Sequence, residues 1–452
     1  MAATGARMSN RVRDLRAAPL VVLLFASAVP SRLIAQDHQA HGPAHDAEVG
    51  VPGSPRAVSG TAWEPEQPMT EGIHWRRGEW DLMLHGNLFA EFVFESARDP
   101  HRRGHQITSL NWMMATATRP LPGGSFTLRA MGSGEPWTVR QCGYPDLLAT
   151  GELCDGDNVH DRQHPHDLFM ELAAQYQRRL GRGLTWEVYG GPVGAPALGP
   201  LPFPHRASAA LNPIAPIAHH WLDSTHIAFG VLTTGVFGQR WKAEASAFNG
   251  RESDEHRTDF DLGRLDSYAA RLTAAPTPRW TLQASAGRLE SAEAGVGEQP
   301  ATDVTRGTLS ASYLRPRGSG SWAATVAYGM NAQRTIIPQG RLRQTSHAVL
   351  AEAMLLPNTR DAWFGRLEIV GKPAHDLHAH EYITRVLTVG KIEAGYLRGL
   401  TRRGDLIIGL GGAATAALVG PLLAPRYGGR VAPGFAIFVN VRASSADASA
   451  HH

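Results

Sequence analysis

The stretch GELCDGDNVHDRQHPHDLFMELAAQY, Gly151 to Tyr176, places His160, His164 and His166 within seven residues and sets four aspartates among them. Imidazole suits Cu2+, Zn2+ and Ni2+, and carboxylates can complete such a ligand set. In extended chain, residues i and i+2 point the same way, so His164 and His166 could chelate one ion with His160, Asp161 or Asp167 as neighbours. A second cluster, NPIAPIAHHWLDSTH (Asn212 to His226), supplies His219, His220, Asp223 and His226. The candidate metal ligands are therefore His164, His166, Asp167, His219, His220, Asp223 and His226, with Cu, Zn or Ni as a loosely bound ion. The competing reading makes the same side chains polar groups that satisfy loop backbone at a rim.

Further histidines stand in KPAHDLHAHE (His375, His378, His380), in DHQAHGPAHD (His38, His41, His45) and at the chain end (His451, His452). None has the spacing of a closed structural zinc site, so metal would be captured or relayed and no cofactor is required. Ser224 and His226, with Asp223 adjacent, are the one arrangement that suits nucleophilic catalysis, a lipid hydrolase in which the imidazole activates the hydroxyl. No motif supports that pair in a chain of 21 histidines. The expectation is a protein that is not an enzyme, with the hydrolase as an alternative.

The scaffold comes from the rest of the chain. Arg7, Arg11, Arg13 and Arg16 precede the apolar run AAPLVVLLFASAV, and LIA (Leu33 to Ala35) suits a cleavable signal, assigned to 1–35. Its removal takes away five arginines and one aspartate, so the formal charge falls from +3 to about −1 and nucleic acid is not implied. Cys142 and Cys154 are the only cysteines, and export makes a disulfide between them the default. Residues 36–79, rich in Pro, Gly and Ala, read as a flexible periplasmic arm.

From Trp80 the pattern changes to segments of alternating polarity, the period of strands with one apolar face. In WDLMLHGNLFAEFVFE, Leu82, Leu84, Leu88, Ala90, Phe92 and Phe94 share one face while Asp81, Met83, His85, Asn87, Glu91 and Glu95 share the other. Short links such as RPLPGG, LGRG, APTPR, RPRGSG and LPNTRD alternate with long ones, including 134–165, 194–225, 249–265, 331–344 and 372–381. Aromatics recur at segment ends: Trp80, Trp186, Trp241, Trp280, Trp322, Trp363 and Tyr382. The fold expected is all-β, a transmembrane antiparallel up-and-down β-barrel of about sixteen strands over 80–442, with short periplasmic turns, long extracellular loops and a tail at 443–452.

On these residues the chain resembles porin-like bacterial outer-membrane β-barrels, and DRQHPHDLFMELA and HHWLDSTHIAFGV are similar to segments of an uncharacterised outer-membrane group with a His-rich N-terminal arm. The resemblance implies the bacterial outer membrane, contact with its lipids and lipopolysaccharide, small solutes or ions as cargo, and a homotrimer as the assembly. The strand phase turns Glu91, Arg129, Glu171, Glu187, Lys242, Glu244, Arg271, Arg366, Glu368 and Glu393 inward as pore-lining residues, with an acidic excess that leans towards cations. A closed structural or metal-binding barrel is the other reading, in which those charges pair and fill the interior. The strand at 166–177 is expected to turn Leu168, Met170, Leu172 and Ala174 to lipid. His205 and Arg206, in GAPALGPLPFPHR, are expected on a loop folded into the lumen and exposed to the channel.

Overall fold

The computed structural model describes residues 56, 58–66, 72–293, 301–337 and 340–443. Nineteen strands are present: β1 Ile73–Arg77, β2 Trp80–Glu95, β3 Gly104–Leu121, β4 Gly124–Gly132, β5 Tyr144–Cys154, β6 Asp157–Gln163, β7 Phe169–Gly181, β8 Leu184–Gly194, β9 Ala228–Phe237, β10 Trp241–Phe248, β11 Ser267–Ala274, β12 Trp280–Glu293, β13 Thr302–Arg317, β14 Gly320–Ile337, β15 Gly340–Leu356, β16 Asp361–Pro373, β17 Val386–Arg403, β18 Leu406–Val419 and β19 Val431–Ala443. Sixteen of them, β2 to β4 and β7 to β19, pair antiparallel with their neighbours, and β19 returns to pair with β2 from Asn87 to Glu95. β1 covers β2 from Trp80 to Leu84, where β19 has ended. Closure leaves no long row of open backbone groups, which is what permits strands to cross lipid.

Alternation decides the faces. β19 exposes Phe435, Ile437 and Val439 and buries Ala436, Phe438 and Asn440. At the short-turn end a ring of aromatics faces outward: Trp80 beside Phe126, Tyr176 beside Trp186, the run Trp280, Tyr313, Trp322, and Trp363 beside Tyr396. This is the girdle of a lipid–water interface. Tyr382 is not part of it, since it lies in the β16–β17 loop and packs on the interior plug.

The lumen is filled, and three expectations change accordingly. Part of the flexible arm is ordered: Trp63 packs edge-on to Phe237, Lys242 donates to Thr61 O at 2.7 Å, and Ile73–Arg77 is β1. The rest of the arm with His38, His41 and His45, the signal and His451 and His452 lie outside the described residues. Residues 331–344 are not a long loop, because β14 and β15 stay in register through them. The β5–β6 hairpin, closed by the Cys142–Cys154 disulfide, turns inward: Leu147, Leu148 and Ala149 pack with Ile217, Ala218, Trp221 and Leu222 against Ala348, Leu350 and Val370 of the wall. Burying a Leu side chain in this way contributes about 1.5–3 kcal/mol. A Cβ at Gly329 of β14 would overlap the Trp221 carbonyl, so glycine lets the plug backbone lie on the wall.

Candidate functional site

Three loops bring the candidate ligands together: residues 133–168 between β4 and β7, 195–227 between β8 and β9, and 249–266 between β10 and β11. The single helical turn His219–Leu222 and the tight turn Ser224–His226 project three imidazoles from one short segment. A Cβ at Gly151 would overlap the His220 ring, so the hairpin backbone and that imidazole lie in direct contact. The five rings form a contiguous cluster, called the row below: His164 to His220 at 5.7 Å between centroids and to His219 at 6.3 Å, His220 to His219 at 5.4 Å, His219 to His226 at 5.3 Å and His226 to His166 at 5.5 Å.

Each ring is held by one nitrogen. The Nδ1 atom lies 3.1 Å from Glu152 in His164, 3.0 Å from Glu135 in His166, 2.8 Å from Asp223 in His219 and 2.8 Å from Glu252 in His220. His226 Nδ1 lies 2.9 Å from the Asp223 carbonyl. The Nε2 atoms of His164, His166, His220 and His226 are buried without a hydrogen-bond partner among the described residues. An imidazole oriented through one nitrogen by a carboxylate or carbonyl, with the other nitrogen free, is the arrangement metal-ligating histidines use. Cavities of about 20 Å3 and about 30 Å3 flank His164 and His166, and the smaller is also lined by His219, His226 and Glu252. A water-sized guest needs about 10–15 Å3.

Burial together with neighbouring histidines holds His219 near 4 and His226 near 3, and burial with the Arg257 charge holds His164 well below the usual imidazole range. Burial opposes charge on His166 as well, but the Glu135 carboxylate outweighs it and raises that imidazole. Neutral imidazole is the form that binds metal. Asp223 is committed to orientation, accepting from Arg206 Nη1 at 2.6 Å and Phe203 N at 3.0 Å, and Asp167 faces Arg257 at 3.6 Å. Among the described residues, the His, Cys, Asp and Glu donor atoms that converge on one point are those of Cys142, Cys154 and Asp155, and of Asp254, Asp259 and Asp261. The first set is spent on the disulfide, and the row histidines do not converge on one centre. His160 stacks on His378 at 3.9 Å, outside the row.

Ser224 Oγ accepts from Arg306 at 3.0 Å, while His226 Nδ1 is engaged by the Asp223 carbonyl; no bond joins Ser224 to His226. His205 and Arg206 are buried, not exposed to a channel: the β8–β9 loop turns them into the packed lumen, where Arg206 is clamped between Asp223 and Glu352.

The ten inward charges all lie on the barrel's inner face at 8% exposure or less. Arg366 bridges Glu352 at 3.2 Å and Glu393 at 3.4 Å, Arg271 pairs with Glu244 at 3.0 Å, and Lys242 pairs with Glu187 at 2.5 Å. Glu171 accepts from Tyr189 at 2.9 Å and Ser59 at 3.1 Å, Arg129 donates to the Gly60 carbonyl at 2.8 Å, and Glu368 accepts from Ala218 N at 2.9 Å. Neither Glu91 oxygen has a hydrogen-bond partner among the described residues. The strand phase also turns Glu135 inward, but sequence reasoning missed its role and the residues Glu152 and Glu252, since carboxylates that orient an imidazole across loops leave no local spacing.

A closed sixteen-strand barrel with an apolar outer face, an aromatic girdle and a charged interior has the architecture of bacterial outer-membrane β-barrels. No protein-family model matches the chain, and no curated protein matches it in sequence. Among solved structures it is similar to Salmonella typhi OmpF in complex with daunomycin, at 8% identity and a TM-score of 0.48 over 82% of this chain and 100% of that one. It is also similar to Pseudomonas putida OprB, at 9% and 0.48 over 80% and 94%, and to the anion-selective porin of Comamonas acidovorans, at 13% and 0.45 over 80% and 100%. Identities and scores this low connect the chain to none of their solutes.

Proposed function

We propose that the protein is a passive outer-membrane channel of narrow bore for small ions, with transition-metal ions bound at the histidine row. The observation that carries this reading is the group of rings itself, with Nδ1 held and Nε2 without a partner among the described residues at four of the five. Passage requires binding strong enough to admit an ion and divided enough over several sites to release it. Several neighbouring rings meet that need better than one closed tetrahedral site. His164, His166, His219, His220 and His226 are the ligands in this reading, and Asp223 and Asp167 orient and balance charge.

Planar-bilayer recording of the purified protein tests it. Small single-channel steps are expected, together with quenching of Trp221 fluorescence by Zn2+ or Cu2+ that is lost in the His164→Ala, His166→Ala protein. Absence of any conductance step overturns the channel. Metal binding without conductance would instead identify a closed metal-binding barrel, a reading favoured by the burial of the lumen charges beneath inserted segments. A homotrimer is the assembly proposed, checked by cross-linking in detergent, where a species at three chain masses is expected.

A further inference from the structure

Next to the histidine row lies a group of a different chemical character. His85 of β2 stands opposite Met114 of β3, and Met114 stands opposite Met131 of β4, so one cross-strand row on the inner wall runs His85, Met114, Met131. Directly opposed side chains on one face lie within contact distance. The row gains a third thioether through an irregularity. β4 and β7 slip register between Met131, opposite Glu171, and Gly132, opposite Phe169, which leaves Met170 unpaired between them. Met170 and Glu171 are both buried inside, at 1% and 2% exposure, although adjacent strand residues normally face opposite sides. The bulge thus overturns the lipid-facing assignment of Met170 and re-aims it into the barrel, a role bulges commonly take near functional sites.

Met114, Met131 and Met170 form one buried cluster, with Trp112 and Ile227 packed against it. The inserted β8–β9 loop closes it with His205, whose Nε2 lies 3.4 Å from Met131 Sδ. Trp112 holds that imidazole at 4.4 Å between centroids, and His85 stands 5.9 Å from it with both ring nitrogens buried and without a partner among the described residues. Arg129, on the same strand as Met131, is turned to Gly60 O and Gln175.

We propose that Met114, Met131, Met170 and His205 form a binding site for a soft monovalent cation, Cu(I) or Ag(I), with His85 beside it as an alternate nitrogen ligand. Thioethers are poor ligands for Zn2+ and hard cations and select Cu(I). A neutral set of three sulfurs and one imidazole provides no anionic charge, which favours one positive charge over two. Hydrophobic packing explains three methionines together; it does not explain a ring nitrogen aimed at a sulfur, or an imidazole next to it with two unsatisfied nitrogens. The site is distinct from the histidine row, which offers nitrogen and carboxylate only.

The inference does not depend on conduction, because the test needs no membrane potential. Ag+ is titrated calorimetrically into the full-length protein in detergent, in the His164→Gln, His166→Gln background so that the row contributes less. One tight site is expected, and silver X-ray absorption should show sulfur in the first shell. Loss of outer-sphere partners alone costs about 10–100-fold in metal affinity. The Met114→Leu, Met131→Leu, Met170→Leu protein, a near volume-conserving change, should therefore lose at least about 100-fold. Zn2+ binding by the same triple variant in the otherwise unaltered chain should stay as it was. Ag+ affinity within about twofold of the parent in the triple variant, or a first shell of nitrogen and oxygen only, overturns the site and leaves an apolar packing layer. If the triple variant does not fold, Met131→Leu and the absorption spectrum of the parent decide the matter in the same terms.

Discussion

Two regions of one lumen handle buried polarity differently, although Glu95 Oε2, Asp146 Oδ2, Arg366 Nη2 and Glu393 Oε1 of the ion-paired region also lack a partner among the described residues. Along β15 to β17 the charges close on each other: Glu352 accepts from Arg206 at 2.7 Å and from Arg366, Arg366 reaches Glu393, and Lys391 pairs with Glu95 at 3.4 Å and with Asp146. In the loops between β4 and β7 and between β8 and β9, four of the five row histidines keep Nδ1 bonded and leave Nε2 without a partner among the described residues. A buried donor or acceptor without a partner costs about 1–3 kcal/mol. Four such Nε2 atoms in one row, and two more on His85, are a cost that the fold could have avoided with apolar side chains. The ion-pair region therefore reads as an anchor for the inserted loop, and the histidine region as ligands awaiting a guest.

The contrast can be broken most severely at Arg206. Its guanidinium joins the β8–β9 loop to the wall through Glu352 and ties Asp223 in place. Arg206→Ala leaves Asp223 without its guanidinium and Glu352 with Arg366 alone, and breaking a buried pair in this way costs about 3–5 kcal/mol. Urea unfolding should show that loss, and bilayer recordings should show larger conductance steps as the loop leaves the lumen. Unchanged conductance with reduced stability would mean that the loop is held by its apolar contacts alone.

A smaller effect on the same anchor is expected at Gly329. Valine suits a strand, so Gly329→Val should not weaken β14 itself. Its side chain would meet the Trp221 backbone, and overpacking of this kind costs about 1–3 kcal/mol. The variant should unfold at lower urea and expose the β8–β9 loop to limited proteolysis, while a variant cleaved no faster than the parent would place the strain elsewhere.

The barrel wall was legible in the sequence and its contents were not, for a physical reason. Lipid demands an apolar outer face, so Phe92, Phe94, Phe435 and Ile437 alternate with interior residues, and apart from β4 with β7 and the closing pair of β19 with β2 each wall strand pairs with its neighbour in sequence. The inward faces of Glu187, Lys242 and Arg366 follow from the same period. A wet lumen and a plugged one are lined by the same polar residues, and what separates them is contact across great sequence distance, such as Lys242 with Thr61 or Arg206 with Glu352. Two histidine clusters joined by one hairpin could be placed at one end from loop order alone. The carboxylates that orient them could not, and the bulge that inverts Met170 breaks the period on which its placement depended.

The smallest structural effect is expected where the largest change in binding is predicted. His164 and His166 contribute little net stability, because each gains one carboxylate contact through Nδ1 and forfeits the hydration of Nε2. Gln at both positions keeps a donor for Glu152 or Glu135 and shortens the group that is left unsatisfied. The double variant should therefore unfold within about 1 kcal/mol of the parent, the range of a typical net hydrogen bond, yet no longer bind Zn2+ or Cu2+ at the row. Removing metal with a chelator should likewise leave the unmetallated barrel folded, since closure and the Arg206 network hold it. A loss of stability in the double variant as large as that of Arg206→Ala would place the histidines among the anchors and remove the distinction between the two regions of the lumen.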